Sequence, residues 1–532
     1  MSRSPTHSAS LPRPLRFPGH ADGTALADDA VHADGPPRVD GFVRRRESPR
    51  VPRGRRLGFL WLVATFVLTL AVGARGAASR AGEPTFDEVY KTARARYVEK
   101  LDGLSTWAAE NDLFAERDRV YRAILVLEPD NAFARKGLRY TRKSDGTWQD
   151  PAPREVKNMN AKLLPEVPAK RQAAVETYRT EMLTAFTTFQ VDATVREKVF
   201  AELLLGDPED ATVRTSMGEV RMGDAWVLGE TAMGRDRRMA IKDEVAKARA
   251  AVGDVWKVEP TEDEKALGVA FTTKLGTRHL RVLGTAPAEE CTAIAQACEI
   301  GPALVKIALG ADVALEPDFA VYVLTSIKDN GPLVDKLPRL DPTFRETLRK
   351  CVGAKIPGQP RVVTWDDKGP KRIDNASRSS LNDLFGRAFG IGLQHGWAWE
   401  GMGLYLNREI VGTRLTWFTQ PGATSKADAL RKKLMTTDVN WMNEALTLMQ
   451  SPQHPPLATV LERDVNTLTT EEMVLAYAFS AYLIEGRPNE TPEILRRVGV
   501  AKEKASTVVP AVLKLDLPQL EARFTRWLGE RR

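Results

Sequence analysis

Glu400 stands among tryptophans, in the run Trp397-Ala398-Trp399-Glu400-Gly401. A carboxylate in so apolar a setting has its charged form disfavoured unless it is paired. Arg378, Arg408 and Arg414 lie in the same stretch and are candidate partners. Three chemical roles are open to such a group: a structural ion pair, acid-base work in a hydrolysis, or recognition of a basic or amino-terminal ligand group. His395 precedes Glu400 by five residues. On a continuous helix that spacing places the two about 140° apart, so they meet on one ion only if Gly396 bends the backbone. Otherwise His395 is a helix-start residue.

Catalytic zinc needs three protein ligands, an open position and a nearby base. The chain has six histidines, of which His7, His20 and His32 lie in the N-terminal tail. His279 reads as an exposed strand residue beside Arg278 and Arg281, and His454 has no companion. No metal and no cofactor are therefore expected. There is no G-x-S-x-G, no cysteine beside a histidine, no Walker loop and no G-x-G-x-x-G, so nucleophilic and nucleotide chemistry lack their residues.

From Trp397 to Tyr405 the text is W-A-W-E-G-M-G-L-Y. It resembles the W-x-x-E-G-x-A-x-Y segment that supplies the glutamate ligand in gluzincin-type, peptidase-MA-like zinc peptidases. The resemblance implies a preceding helix carrying H-E-x-x-H, whose histidines face one way because residues four apart share a helix side. Here Ser377 to Ile391 reads SRSSLNDLFGRAFGI, with no frame that places the ligands and base. Ser377, Ser379 and Ser380 read as helix-start residues. The expectation is a peptidase-like domain, over 266–532, that keeps its frame and lacks its metal. Its former cleft, lined by Trp397, Trp399, Glu400, Tyr405 and Trp417 with Arg378 and Arg414, would bind a peptide or a partner protein. The rival is a hydrolase with unorthodox ligands centred on Glu400 and His395, and a third reading is a structural envelope protein.

Periodicity gives the elements that hold this stretch in place. GVAFTTKLGTRHLRVLG (268–284) alternates around Gly276 and predicts two strands and a turn. A helix is expected over Ala288 to Leu309, and a strand apolar on both faces, hence buried, over Phe319 to Thr325. Helices near Gly331 to Leu337 and Thr343 to Val352 precede a strand at Arg361 to Trp365. Beyond Trp417 the chain reads as nearly all helical. Thr469 and Glu472 form a capping box for a helix that stops at Gly486, and Asp516 caps a last helix with Leu517, Leu520, Phe524, Trp527 and Leu528 on one face. The fold class is α+β, predominantly helical, with a small mixed sheet and C-terminal helices.

Ahead of this lies an internal echo. RDRVYRAILVLEPDNAFAR (117–135) aligns without a gap with REKVFAELLLGDPEDATVR (196–214), at an offset of 79 residues. Each copy runs on to a turn and a tryptophan, Asp145-Gly146-Thr147-Trp148 and Gly223-Asp224-Ala225-Trp226. Asp-Gly is a preferred two-residue hairpin turn. Helical stripes at Val89, Ala93, Tyr97 and Leu101, then Val120, Ile124 and Leu127, resemble a degenerate tetratricopeptide repeat. One such unit has too little core to stand alone, so two stacked copies are expected to form a helical domain over 83–260. It is either a concave peptide-binding surface or a spacer.

The charge of the chain is misleading until it is located. The formal net charge is +7, but residues 1–82 hold 13 Arg, no Lys and 6 Asp+Glu, which leaves 64 basic and 64 acidic residues from 83 onward. Nucleic-acid binding needs clustered cations and is not expected. Residues 1–56, rich in Arg, Pro and Ser without apolar period, read as a disordered tail. In 57–82 a basic flank, the apolar run LGFLWLVATFVLTLAVG and a small-residue exit form the layout of a secretory signal, or else of an uncleaved anchor. A translation start near Val51 would make that signal compact. The expectation is export across the cytoplasmic membrane, with a peptide or protein partner in the cell envelope and membrane contact only through this segment. Cys291, Cys298 and Cys351 are too few for a disulfide framework. Cys291 and Cys298 sit about 10 Å apart along a helix, too far to bridge; Cys351 could pair with one of them, and buried free thiols are the expected state.

Overall fold

The computed structural model describes residues 84–417, 425–436 and 438–531. The expected tail and apolar leader lie outside the described residues.

Two copies of one unit come first. Helix α1 (Phe86–Glu110) opens on a capping box between Thr85 and Glu88, and is followed by α2 (Phe114–Leu127), α3 (Ala132–Gly137) and the hairpin β1 (Thr141–Arg142) and β2 (Trp148–Gln149). The second copy is α4 (Val167–Thr188), α5 (Ala193–Gly206), α6 (Ala211–Ser216), β3 (Glu219–Met222) and β4 (Ala225–Leu228). The bounds of α2 and α3 recur in α5 and α6 at the offset of the sequence echo. The echoed residues do the same work twice. Asn131 and Asp210 cap the short helices. Arg135 Nε donates to the Pro129 carbonyl at 2.7 Å, and Arg214 Nε to that of Pro208 at 3.0 Å. Across each hairpin an arginine faces the tryptophan, Arg142 opposite Trp148 and Arg221 opposite Trp226, with the guanidinium 5.8 and 5.6 Å from the ring centroid.

The turns differ. Gly223-Asp224 is the expected two-residue turn, whereas the first hairpin closes one pair earlier, with Lys143 N–H on the Thr147 carbonyl and Gly146 at φ +85°. The paired units share a core around Tyr97, Leu101, Ile124, Val175, Tyr178 and Leu203, in which the Tyr97 and Tyr178 rings stack at 4.6 Å.

Helix α7 (Gly229–Ala251) leaves β4 directly and buries Ile241 and Val245 in the core of the C-terminal part. That part holds β5 (Trp256–Lys257), α8 (Glu262–Ala266), β6 (Thr273–Gly276), β7 (Leu280–Gly284), α9 (Ala288–Leu309), β8 (Phe319–Leu324), α10 (Ile327–Lys336), α11 (Pro342–Lys350), β9 (Gly353–Lys355) and β10 (Arg361–Trp365). The sheet order is β5-β6-β7-β8-β10-β9. Its centre, β7-β8-β10, is parallel, and β6 and β9 join it antiparallel. All six residues of β8 are buried, as a strand covered on both faces requires. Helix α10 starts earlier than its sequence reading because Ser326 caps it, and a short strand, β9, separates α11 from β10 where the sequence reading had none.

The remaining chain is helical: α12 (Gly369–Phe389), α13 (Gly396–Val411), α14 (Ser425–Leu434), α15 (Trp441–Met449), α16 (Leu457–Glu462), α17 (Thr470–Gly486), α18 (Thr491–Gly499), α19 (Ala505–Leu513) and α20 (Leu517–Glu530). Thr469 with Glu472, and Asp516 with Gln519, form capping boxes. Every residue of α17 except Glu471 is buried, which makes it the axis around which α7, α13 and α15 pack. The second hairpin is tied to α20. Arg526 meets Glu219 at 2.5 Å, the Leu228 N–H donates to Glu530 at 2.9 Å, and Glu230 takes Arg523 and Arg487. Nearby, Glu485 on α17 accepts from Arg238, Arg531 and the Tyr405 hydroxyl at 2.7, 2.6 and 2.9 Å.

Candidate functional site

Helix α12 carries an unusually polar buried face: Asp374, Asn375, Ser377, Arg378, Ser380 and Asn382. Two of these organise what surrounds them. Asp374 accepts from the Thr413 hydroxyl and the Leu415 amide at 2.7 and 3.0 Å, and from the amide and hydroxyl of Thr416 at 3.0 and 2.5 Å. It thereby pins the segment after α13 back onto α12. Arg378 places Nη1 2.9 Å from each oxygen of Glu400, with the two side chains 4% and 0% exposed. Of the cations in the same stretch, Arg378 is the one that meets this carboxylate. Arg408 turns outward to Glu409, and Arg414 donates to the Tyr477 hydroxyl and the Val439 carbonyl while lying 4.7 Å from the Trp441 ring.

The glycine after Glu400 is required by packing. A Cβ on Gly401 would stand 2.3 Å from the Ala476 carbonyl oxygen, so α13 and α17 approach along that line only with hydrogen there. The approach draws Trp397 and Tyr405 inward. Trp397 is fully buried with its ring 6.2 Å from Phe479, and Tyr405 is spent on Glu485. Trp397, Glu400 and Tyr405 therefore form the interior beneath a surface, not a cleft lining, because α13 is buried on nearly every side as far as Asn407. Trp417 packs edge-on against Trp441, with 5.7 Å between centroids. Trp399 and Arg378 alone of the sequence-chosen set border an open groove.

His395 sits before the first turn of α13, where the Gly392 N–H donates to its Nδ1 at 3.1 Å. Burial lowers its pKa from 6.5, so the ring is a neutral acceptor that shapes the turn. His279 lies in the exposed turn between β6 and β7, against Glu299 at 2.8 Å, and His454 lies against the Pro455 carbonyl. Among the described residues no three His, Cys, Asp or Glu side chains converge as a metal-binding group. The zinc ligand set implied by the resemblance does not fit here, since a guanidinium occupies the face of Glu400. All three cysteines are free thiols, and burial pushes Cys291 and Cys298 up to about 12.

The groove has a volume of about 640 Å³. One side is β9 with the following Ile356-Pro357-Gly358, the floor is Arg378, Ser379, Asn382, Asp383 and Gly386 of α12, and Ile391 to Leu393, Trp399 and Phe344 complete it. Strand β9 is a sheet edge. Its ladder to β10 runs through Val352 and Ile356, whose backbones bond Trp365 and Arg361. By the alternation of an antiparallel pair, the N–H and C=O groups of Gly353 and Lys355 point away from β10; Gly353 is buried and its carbonyl accepts from the Cys351 thiol at 3.6 Å, and among the described residues no further strand pairs with this edge. Gly353 has φ +138°, and a Cβ there would lie 2.1 Å from the Val363 carbonyl oxygen. Sequence reasoning missed β9, Phe344 and Ile356. The signal present was Pro357-Gly358, a turn dipeptide just ahead of the predicted strand, which marks a hairpin and hence a partner strand before it.

The chain matches no family model, no curated protein and no solved structure.

Proposed function

We propose that this is a non-catalytic binding protein that takes an extended polypeptide segment into the groove between β9 and α12. The observation that carries this reading is the sheet edge at β9, whose outward N–H and C=O groups, the Gly353 carbonyl held by Cys351 aside, border an apolar groove. A peptide lying there adds a strand and gains main-chain hydrogen bonds. Arg378 supports the non-catalytic part of the reading, because it holds Glu400 in a buried ion pair instead of leaving it to polarise a water or to grip an ion. The sequence layout of 57–82 supports export and a partner in the cell envelope. The hydrolase reading centred on Glu400 and His395 gains no comparable support, with Glu400 engaged by Arg378 and His395 by Gly392.

The test is hydrogen exchange at the amides of Gly353 and Lys355 with and without a mixed peptide pool. Slower exchange at both is expected, together with no peptide turnover in added zinc. Unchanged exchange, or cleavage abolished by Glu400→Gln, overturns the proposal.

A further inference from the structure

On the peptide-binding reading, the charges of the same groove narrow what can occupy it. A groove built to hold a chain terminus, or a Lys, Arg, Asp or Glu side chain, keeps a counter-charge uncommitted, since burying an unpaired ion is costly. Five charged side chains border this groove, and each is engaged within the protein. Arg378 is on Glu400. Lys355 lies 2.8 Å from Glu316 and 2.9 Å from Asp383, and Arg387 lies 2.9 Å from the other oxygen of Asp383. Asp341 accepts from the Thr343 and Phe344 amides as the cap of α11.

Backbone, neutral polar groups such as Ser379, and apolar surface remain for a ligand. Trp399, Phe344 and Leu393 face the groove, with Leu393 half exposed there and Ile356 and Ile391 buried behind them. We infer that the groove is specific for an internal, uncharged stretch of extended chain whose alternate residues are large and apolar, and that neither terminus of the partner takes part. Alternation comes from strand pairing: every second side chain of an added strand turns toward Trp399 while its neighbours turn away.

The probe is a set of octapeptides in which threonine alternates with leucine, phenylalanine, lysine or glutamate, each made with free ends and with acetylated and amidated ends, titrated by fluorescence polarisation against the full chain. The end-blocked leucine and phenylalanine peptides are expected to bind about tenfold tighter or more than the lysine and glutamate ones, with no gain on freeing either end. Trp399→Ala is expected to remove the preference, and Trp399→Phe to retain most of it. A tenfold or larger gain from a free amine, a free carboxylate or a charged side chain overturns this inference while leaving peptide binding intact. Equal affinity across all residue types, lost on Gly353→Ala, also overturns it. Failure of every peptide to bind overturns the peptide-binding reading itself, and this inference with it.

Discussion

Two of the grooves formed by the described residues are similar in size and differ in what their walls leave unfinished. The first, about 570 Å³, runs between α1 and α4 in the repeated units, lined by Val89, Thr92, Arg96, Thr180, Glu181, Thr184 and Phe189. Its helices satisfy their own backbones. Several of its side chains are also occupied: Arg96 pairs with Glu181 at 2.9 Å, Glu88 caps its own helix, and the Thr184 and Thr188 hydroxyls donate to carbonyls one turn back. The second, between β9 and α12, has its charges equally occupied but is bordered by a strand edge. Volume does not make a binding site here. On the proposed reading, the strand edge does.

The contrast is most exposed to test at the floor of the second groove. Arg378→Ala takes the buried guanidinium away from the buried Glu400 carboxylate and is expected to cost about 3–5 kcal/mol in denaturant unfolding. Arg96→Ala in the first groove removes a half-exposed pair and is expected to cost under about 1 kcal/mol. Similar losses for the two would mean that the floor of the second groove is no more committed than a surface. Next comes the edge itself. Gly353→Ala puts a side chain against the Val363 carbonyl at a positive φ, a strain of about 1–3 kcal/mol, and should abolish peptide-induced protection along β9 while far-UV circular dichroism is retained.

A matched truncation separates the grooves directly. Trp399→Ala should weaken peptide binding about tenfold or more, whereas Val89→Ala in the first groove should leave it within about twofold. Reversal of that order would transfer the binding function to the repeats.

The smallest effect is one of pH. Burial alone would push the Glu116 carboxyl up, but the hydrogen bonds of Arg171 and Arg119 together outweigh it and hold it at about 2, below its ordinary 4.5. A depressed carboxylate stabilises the fold fully above the unfolded value and loses that contribution as pH falls through the folded one. The repeated units should therefore weaken between pH 4.5 and 2, with a shallower acid dependence in Glu116→Gln. An unchanged acid titration of unfolding in that variant would mean that Glu116 does not set it.

Much of this architecture is legible in the residues. The repeat could be read because its copies keep Pro129 and Pro208, Arg135 and Arg214, and those pairs form the same bond in both. Strands β8 and β10 and helix α9 could be read because each has one clear period or none broken. The site was less legible, for two physical reasons. Helices α13 and α17 are buried nearly all round, so no periodicity tells which of Trp397, Trp399 and Tyr405 faces out. Strand β9 is three residues long, and Gly-Ala-Lys has no pattern of its own; it is a strand only because β10 pairs with it. The carboxylate Glu400 could be singled out from its neighbours, but choosing Arg378 over Arg408 and Arg414 required knowing how α12 and α13 cross.

The seam between the second hairpin and α20 sets an order of assembly. Glu219 meets Arg526 across 307 positions, and Leu228 meets Glu530 across 302. A ribosome delivers those partners long after the hairpin has emerged, so the repeats can form early, with Glu219 held by Arg214 alone and Glu230 waiting for residues made much later. Loss of α20 alone would leave a chain that is nearly whole by mass yet has nothing to close against.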